Sequence, residues 1–180
     1  MLKAATQASA TRASPNRSAR GVPDTHGTYA LLLQCVRSGR VAVGSLGVMD
    51  VEPGVYIYLG SAFGPGGLRA RLSRHAARRK VKRWHVDYLR PRMSLGGAWF
   101  STSSHHQEHD WAASVLALEN GTVPLPRFGA SDCSCSSHLV YFPDRAAGSR
   151  SIADALGACA ADSLVRVDAG LLRQLARGRR

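Results

Sequence analysis

The chain has 180 residues, 44% of them apolar and 20% charged, with a formal net charge of +12. That length fits one domain with tails, and the composition is globular. No membrane-spanning helix is expected, because no apolar run reaches ~18 residues. The N-terminus lacks the apolar core of a secretory signal, so the cytoplasm is the expected location, and four irregularly spaced cysteines make no disulfide framework.

Residues 1–25 are rich in Ala, Ser and Thr with scattered Arg and no periodicity, which predicts a disordered basic arm. Residues 26–143 hold the strong patterns, and residues 144–180 read as a helical extension with a basic tail. Gly27–Cys35 (GTYALLLQC) is expected as a buried strand, followed by strands at Val41–Val43 and Val55–Gly60, the latter entered through the Pro53-Gly54 turn. Strand alternation puts Val55, Ile57 and Leu59 on one face and Tyr56 and Tyr58 on the other. The tyrosine face is either a working face or a packed one with satisfied hydroxyls.

Gly64-Pro65-Gly66-Gly67 breaks the chain, and a helix is expected from Leu68 to Arg79. At 100° per residue, Leu68, Leu72, His75 and Arg79 share one sector, with Arg71 on its flank and Arg69, Arg74 and Arg78 turned away. An Arg and a His on the buried edge of a helix are costly unless they meet an anion there. From Leu68 to Arg92 there are ten Lys/Arg against the single acid Asp87. Such a block is the footprint of a polyanion binder, or else a solvated basic face. Arg69, Arg74, Arg78, Arg79, Lys80, Lys82 and Arg83 are its candidate phosphate contacts.

Trp84–Leu89 is expected as a strand, with Trp84, Val86 and Tyr88 on one face and His85 and Asp87 on the other. A strand at Ala98–Thr102 leads to a helix from His106 to Asn120, where Glu108, Trp111, Ala112, Val115 and Glu119 form one stripe. Glu108 therefore opens the inward face, as a metal ligand or as a first-turn acid suited to the helix dipole. In Asp132–His138, Cys133, Cys135 and His138 offer three zinc ligands without a clear fourth. His85, Asp87 or Cys35 could add one only through the fold. The favoured reading is a tight turn with small buried cysteines, leading to a strand at His138–Phe142; Asp132 and His138 would then border a substrate site. Helices are expected around Ile152–Cys159 and Leu171–Leu175.

Gly27-Thr28-Tyr29, Tyr58-Leu59-Gly60, Arg71 with His75 four residues on, and the distant Glu108 together resemble the GIY-YIG nuclease superfamily. The runs YIYLGSAFGPGGLRARLSRH, WHVDYLR and FGASDCSCSSHLVYF resemble its Uri-type branch. The resemblance spans Thr25 to Phe142. Thr28 and Leu59 replace the usual isoleucines, Arg37–Pro53 is long enough to add a hairpin, and the late asparagine of many relatives has no clear counterpart. The implied fold is α+β, a small, mostly antiparallel sheet flanked by helices. The implied activity is phosphodiester hydrolysis in nucleic acid, DNA before RNA, with Mg²⁺ or Mn²⁺ at Glu108. Tyr29, Tyr58, Arg71, His75 and Glu108 are the implied catalytic residues. Tyr29 would be the base, if Arg71 and the metal favour its phenolate. The alternative is a binding module without turnover, gripping phosphates with the same basic face.

Overall fold

From Thr28 to Cys35 (TYALLLQC) seven of eight residues are buried, and this segment, β1, is the middle strand of the sheet. The structure is a computed structural model and describes residues 21–144, 149–160 and 163–178. Residues 1–20, most of the expected arm, lie outside the described residues. So do residues 145–148, 161–162 and 179–180. The last five residues of the arm depart from expectation. Val22 is fully buried, Asp24 pairs with Arg69 at 2.9 Å, and Thr25 O accepts from Leu68 N–H.

The fold is α+β. Strands β2 (Gly39–Ala42) and β3 (Val48–Val51) form a separate hairpin within Arg37–Pro53. Then come β4 (Gly54–Ser61), β5 (Ser94–Ser101), β6 (Leu139–Phe142) and β7 (Val165–Asp168). The central sheet runs β6-β4-β1-β5-β7, every neighbour antiparallel. The helices are α1 (Gly67–Ala76), α2 (His85–Leu89), α3 (Glu108–Leu116), α4 (Ser149–Cys159) and α5 (Ala169–Arg177). No helix of the described residues is long and apolar enough to cross a membrane.

Strand alternation divides the core in two. Tyr29, Leu31, Leu33, Tyr56 and Tyr58 face a cluster with residues of α1, α2, α5 and the hairpin. Ala30, Leu32, Val55, Ile57, Leu59 and Trp99 face Trp111, Ala112 and Val115 of α3 and Ile152 and Leu156 of α4. A leucine of these clusters cut back to alanine would cost about 2–5 kcal/mol.

Four expected elements differ. The helix of His75 ends at Ala76, because Ala77 turns extended and Lys80 folds back to donate its Nζ to Arg74 O; Arg79 therefore leaves the inward sector. Trp84–Leu89 is not a strand. Asp87, third in α2, accepts from the backbone N–H groups of Arg83 and Trp84 at 2.9 and 3.2 Å, which starts a helix. The alternation there was misleading: Val86, Asp87 and Leu89 go inward together. Helix α3 is shorter than expected and Asn120 lies in the left-handed region (φ 63°), so Glu119 falls beyond its end and is exposed. The C-terminal segment is more than helical, since β7 pairs with β5 and widens the sheet.

Candidate active site

Two motif tyrosines meet because β1 and β4 are antiparallel neighbours. Tyr29 lies opposite Gly60 and Tyr58 opposite Leu31, so both side chains leave the same face. The rings are 6.4 Å apart, centroid to centroid. Gly60 is required here. A Cβ on it would lie 2.5 Å from the Tyr29 hydroxyl and 2.7 Å from its Cζ, so only glycine lets Tyr29 cross β4.

Behind Tyr29 is His75, fully buried on α1, with its Nε2 2.8 Å from the Tyr29 hydroxyl. Burial, then Lys80, holds the imidazole pKa well below its ordinary value, so His75 is neutral. Its Nδ1 makes no hydrogen bond and faces Asp87 Oδ1 at 3.8 Å. The tautomer with its proton on Nδ1 points that proton at the carboxylate and leaves Nε2 to accept from Tyr29.

Asp87 anchors this side. Its Oδ1 lies 2.8 Å from Lys80 Nζ, and its Oδ2 lies 3.1 Å from Arg74 Nη2. Burial pushes its pKa up, but the Lys80 hydrogen bond and the backbone N–H of Arg83 outweigh it, so Asp87 stays below the ordinary carboxylate range. Arg71 stacks over Trp84 at 4.1 Å and reaches the cleft.

The cleft itself is open, about 450 Å³ in volume, and lined by Tyr29, Tyr58, Arg71, Trp84, His85 and Glu108, with Asp132 and His138 on its far wall. Glu108 comes from the other side of the sheet. The backbone N–H of its neighbour Gln107 donates to Thr28 Oγ1 at 3.2 Å, and Gln107 Nε2 donates to Cys159 O at 2.8 Å. Thr28 in the first motif thus has a use that isoleucine could not serve: it ties α3 to β1. Glu108 is 8% exposed; its Oε1 lies 3.3 Å from His106 Nδ1, while its buried Oε2 has no hydrogen-bond partner.

Of the five expected catalytic residues, Tyr29, Tyr58, Arg71 and Glu108 share the cleft wall. His75 does not; it reaches the cleft only through the Tyr29 hydroxyl. Arg71 alone does not favour the Tyr29 phenolate. Burial, then Tyr58, raises its pKa more than Arg71 lowers it, and burial raises Tyr58 likewise. His85 accepts from Gly129 N–H at 2.9 Å and forms part of the wall. Asp87 lies behind His75, outside the cleft.

The basic block separates into two groups. Arg78, Arg79, Lys82 and Arg83 are exposed. Arg74 and Lys80, expected on the phosphate-binding face, are instead committed to Asp87, and Lys80 keeps only 7% of its side chain exposed. Arg69 is held by Asp24 beside α5.

The sequence offers Cys133, Cys135 and His138 as ligands, and the fold supplies the missing fourth. His109 joins Cys133, Cys135 and His138, and one ligand atom from each lies within 4.8 Å of all the others, so this cluster can hold a metal ion. The fourth member is none of His85, Asp87 and Cys35. Twenty-three residues lie between His109 and Cys133, and only the place of His109 directly after Glu108 hinted at a site.

A family model described as a domain of unknown function, DUF123, matches residues 28–161. The chain belongs to the DUF123 family. The matched span runs from β1 through α4, so the DUF123 region includes the cleft and the Cys/His cluster and extends past Phe142, where the motif resemblance stopped. No curated protein and no solved structure matches the chain.

Proposed function

We propose that this chain is a divalent-metal-dependent endonuclease of the GIY-YIG superfamily, of its Uri-type branch, hydrolysing phosphodiester bonds in nucleic acid, DNA before RNA. The observation that carries this reading is the convergence of Tyr29, Tyr58, Arg71 and Glu108 on one cleft, with His75 hydrogen-bonded to Tyr29 from behind. A binding module would need neither an inward carboxylate with a free oxygen nor a buried tyrosine–histidine pair.

Glu108 suits a hard cation: the residue borders the cleft, and its buried Oε2 has no hydrogen-bond partner. Mg²⁺ or Mn²⁺ held there supplies Lewis-acid stabilisation of the phosphate and leaving oxygens. The protein groups do the rest. Arg71, always charged, pairs with a non-bridging oxygen, and Trp84 beneath it holds the guanidinium in place. Tyr58 and Tyr29 orient the attacking water. As the water oxygen bonds to phosphorus and the P–O bond to the leaving oxygen breaks, a water proton passes to the Tyr29 oxygen while the Tyr29 proton moves to His75 Nε2. Asp87, facing Nδ1, stabilises the imidazolium that forms. This relay suits the raised pKa of Tyr29, because the tyrosine never carries a lasting charge. The exposed Arg78, Arg79, Lys82 and Arg83 extend the positive surface along the substrate backbone.

The test is incubation of the purified protein with labelled single-stranded, duplex and branched DNA and RNA, with and without Mg²⁺ or Mn²⁺. Metal-dependent cleavage of at least one substrate is expected. Binding without cleavage under every condition would replace this reading with that of a nucleic-acid-binding module.

A further inference from the structure

We propose that His109, Cys133, Cys135 and His138 bind one zinc ion in a closed four-coordinate site that ties the loop of residues 127–138 to the first turn of α3. This site is separate from any cation at Glu108, and its ligands belong to a different chemical class.

The geometry comes first. Zn–S bonds of about 2.3 Å and Zn–N bonds of about 2.0–2.1 Å place tetrahedral ligand atoms roughly 3.3–3.8 Å apart. His109 Nδ1 and Cys135 Sγ are 3.2 Å apart, and Cys133 Sγ and His138 Nε2 are 3.5 Å apart. All four ligand atoms lie within 4.8 Å of one another, so small side-chain adjustments close the set on a common centre. Two thiolates and two imidazoles form a borderline-soft set that favours zinc over magnesium or calcium. With four protein ligands no position is left for substrate, which makes the site structural.

The loop is built to present these atoms. Arg127 adopts a left-handed backbone (φ 62°), and its guanidinium donates to the carbonyl oxygens of both Cys133 and Cys135. Its own N–H donates to Ser136 O, and His138 N–H donates to Phe128 O. The backbone polar groups are therefore occupied in holding a turn whose two thiols point the same way. Cys35 and Cys159, by contrast, are placed elsewhere: Cys35 Sγ contacts Arg37 O and Cys159 Sγ contacts Ser114 Oγ. All four cysteines are free, so no disulfide competes for the thiols.

The site also reaches the cleft. Cys133, His138 and His109 line it, and His109 Nε2 lies 4.0 Å from Glu108 Oε1. A histidine bound to metal through Nδ1 carries its proton on Nε2, and such protons usually meet a carboxylate. Zinc thus orients His109 so that it can hold Glu108, which makes His109 a positioning residue. That last link rests on the cleft reading above; the metal site does not.

The experiment is elemental analysis of the full-length chain, purified under reducing conditions without added chelator, and again after Zn²⁺ loading and desalting. One zinc per chain is expected, and Co²⁺ in its place should give the visible bands of a tetrahedral thiolate site. Cys133→Ser with Cys135→Ser should lose the metal, whereas Cys35→Ser and Cys159→Ser should keep it. Hydrogen exchange of the wild type should slow on Zn²⁺ addition in residues 127–138 and at the start of α3, a readout that does not depend on a variant folding. No stoichiometric zinc and no cobalt bands in the wild type would overturn the proposal, as would full zinc content in the double variant. Cleavage is read separately, so a chain that cuts DNA without zinc refutes this site alone, and one that binds zinc without cutting refutes the nuclease alone.

Discussion

The two banks of the cleft are built in opposite ways. On the α1–α2 bank opposite charges meet: Asp87 gathers Arg74, Lys80 and two backbone N–H groups, and Tyr29 bonds His75. On the α3 bank the polar groups converge without completing one another. Glu108 Oε2 is buried with no partner, and two imidazoles and two thiols face a common centre. Both banks leave buried polar atoms without a hydrogen bond, Arg74 Nε and His75 Nδ1 on the first and Glu108 Oε2 on the second. But the first sets a carboxylate against two cations, while the second gathers donor sets of the kind that ions take. On the function proposed above, this difference would give proton handling to one bank and metal handling to the other.

Removing the anchor of the ion-paired bank should have the largest effect on stability. Asp87→Ala leaves Arg74 and Lys80 uncompensated against His75, and unmatched buried charge of this kind costs roughly 3–5 kcal/mol. Chemical denaturation will measure it; a loss under 1 kcal/mol would mean the network is not what holds this bank. Tyr29→Phe comes next. It strands His75 Nε2, at about 1–3 kcal/mol of stability, and should slow cleavage by about 10²–10⁴-fold. Unchanged cleavage would remove Tyr29 from the relay.

Acid provides a third way to separate the banks. Burial keeps the folded pKa of His75 below its unfolded value of ~6.5. The stability tied to neutral His75 is therefore fully present above pH ~6.5 and is lost as pH falls from there toward the folded pKa. The slope from this one proton is at most about 1.4 kcal/mol per pH unit. His75→Gln should flatten the fall relative to wild type in pH-dependent melts, and an unaltered slope would show that His75 is not the buried neutral group described.

Much of this was legible in the sequence. Val55–Leu59 announced its two faces by alternation, and the 3.6-residue period put Leu68, Leu72 and His75 inward together. Glu108 was legible as the head of the Trp111/Ala112/Val115 stripe. What stayed hidden depends on long-range pairing. Alternation in Trp84–Leu89 imitates a strand, and only the reach of the Asp87 carboxylate to the backbone of Arg83 and Trp84 makes a helix. Strand β7 is four residues long and owes its existence to the open edge of β5. His109 joins the cysteines through the fold alone, and the fold alone pairs Arg74 and Lys80 with Asp87, which takes them from the phosphate-binding face.

That division of the basic residues gives a smaller prediction. Replacing Arg78, Arg79 and Arg83 with Ala should weaken nucleic-acid binding and flatten its salt dependence by at most about 0.9 per lost phosphate contact. Melting should hardly change, because none of the three belongs to the Asp87 side-chain ion pairs. Unchanged affinity would move the docking surface elsewhere.

The smallest effect on stability should come from the opposite bank. Glu108→Ala removes a first-turn acid, worth about 0.3–1 kcal/mol, and relieves one unpaired buried oxygen. That makes this variant the cleanest probe of the central claim, that the cleft is a metal-dependent phosphodiesterase whose cation is held by Glu108. The measurement is single-turnover cleavage in Mg²⁺ or Mn²⁺ by wild type and Glu108→Ala, at protein concentrations that saturate the substrate. Near-native melting and affinity with cleavage abolished is the predicted result; wild-type cleavage by Glu108→Ala would contradict the account.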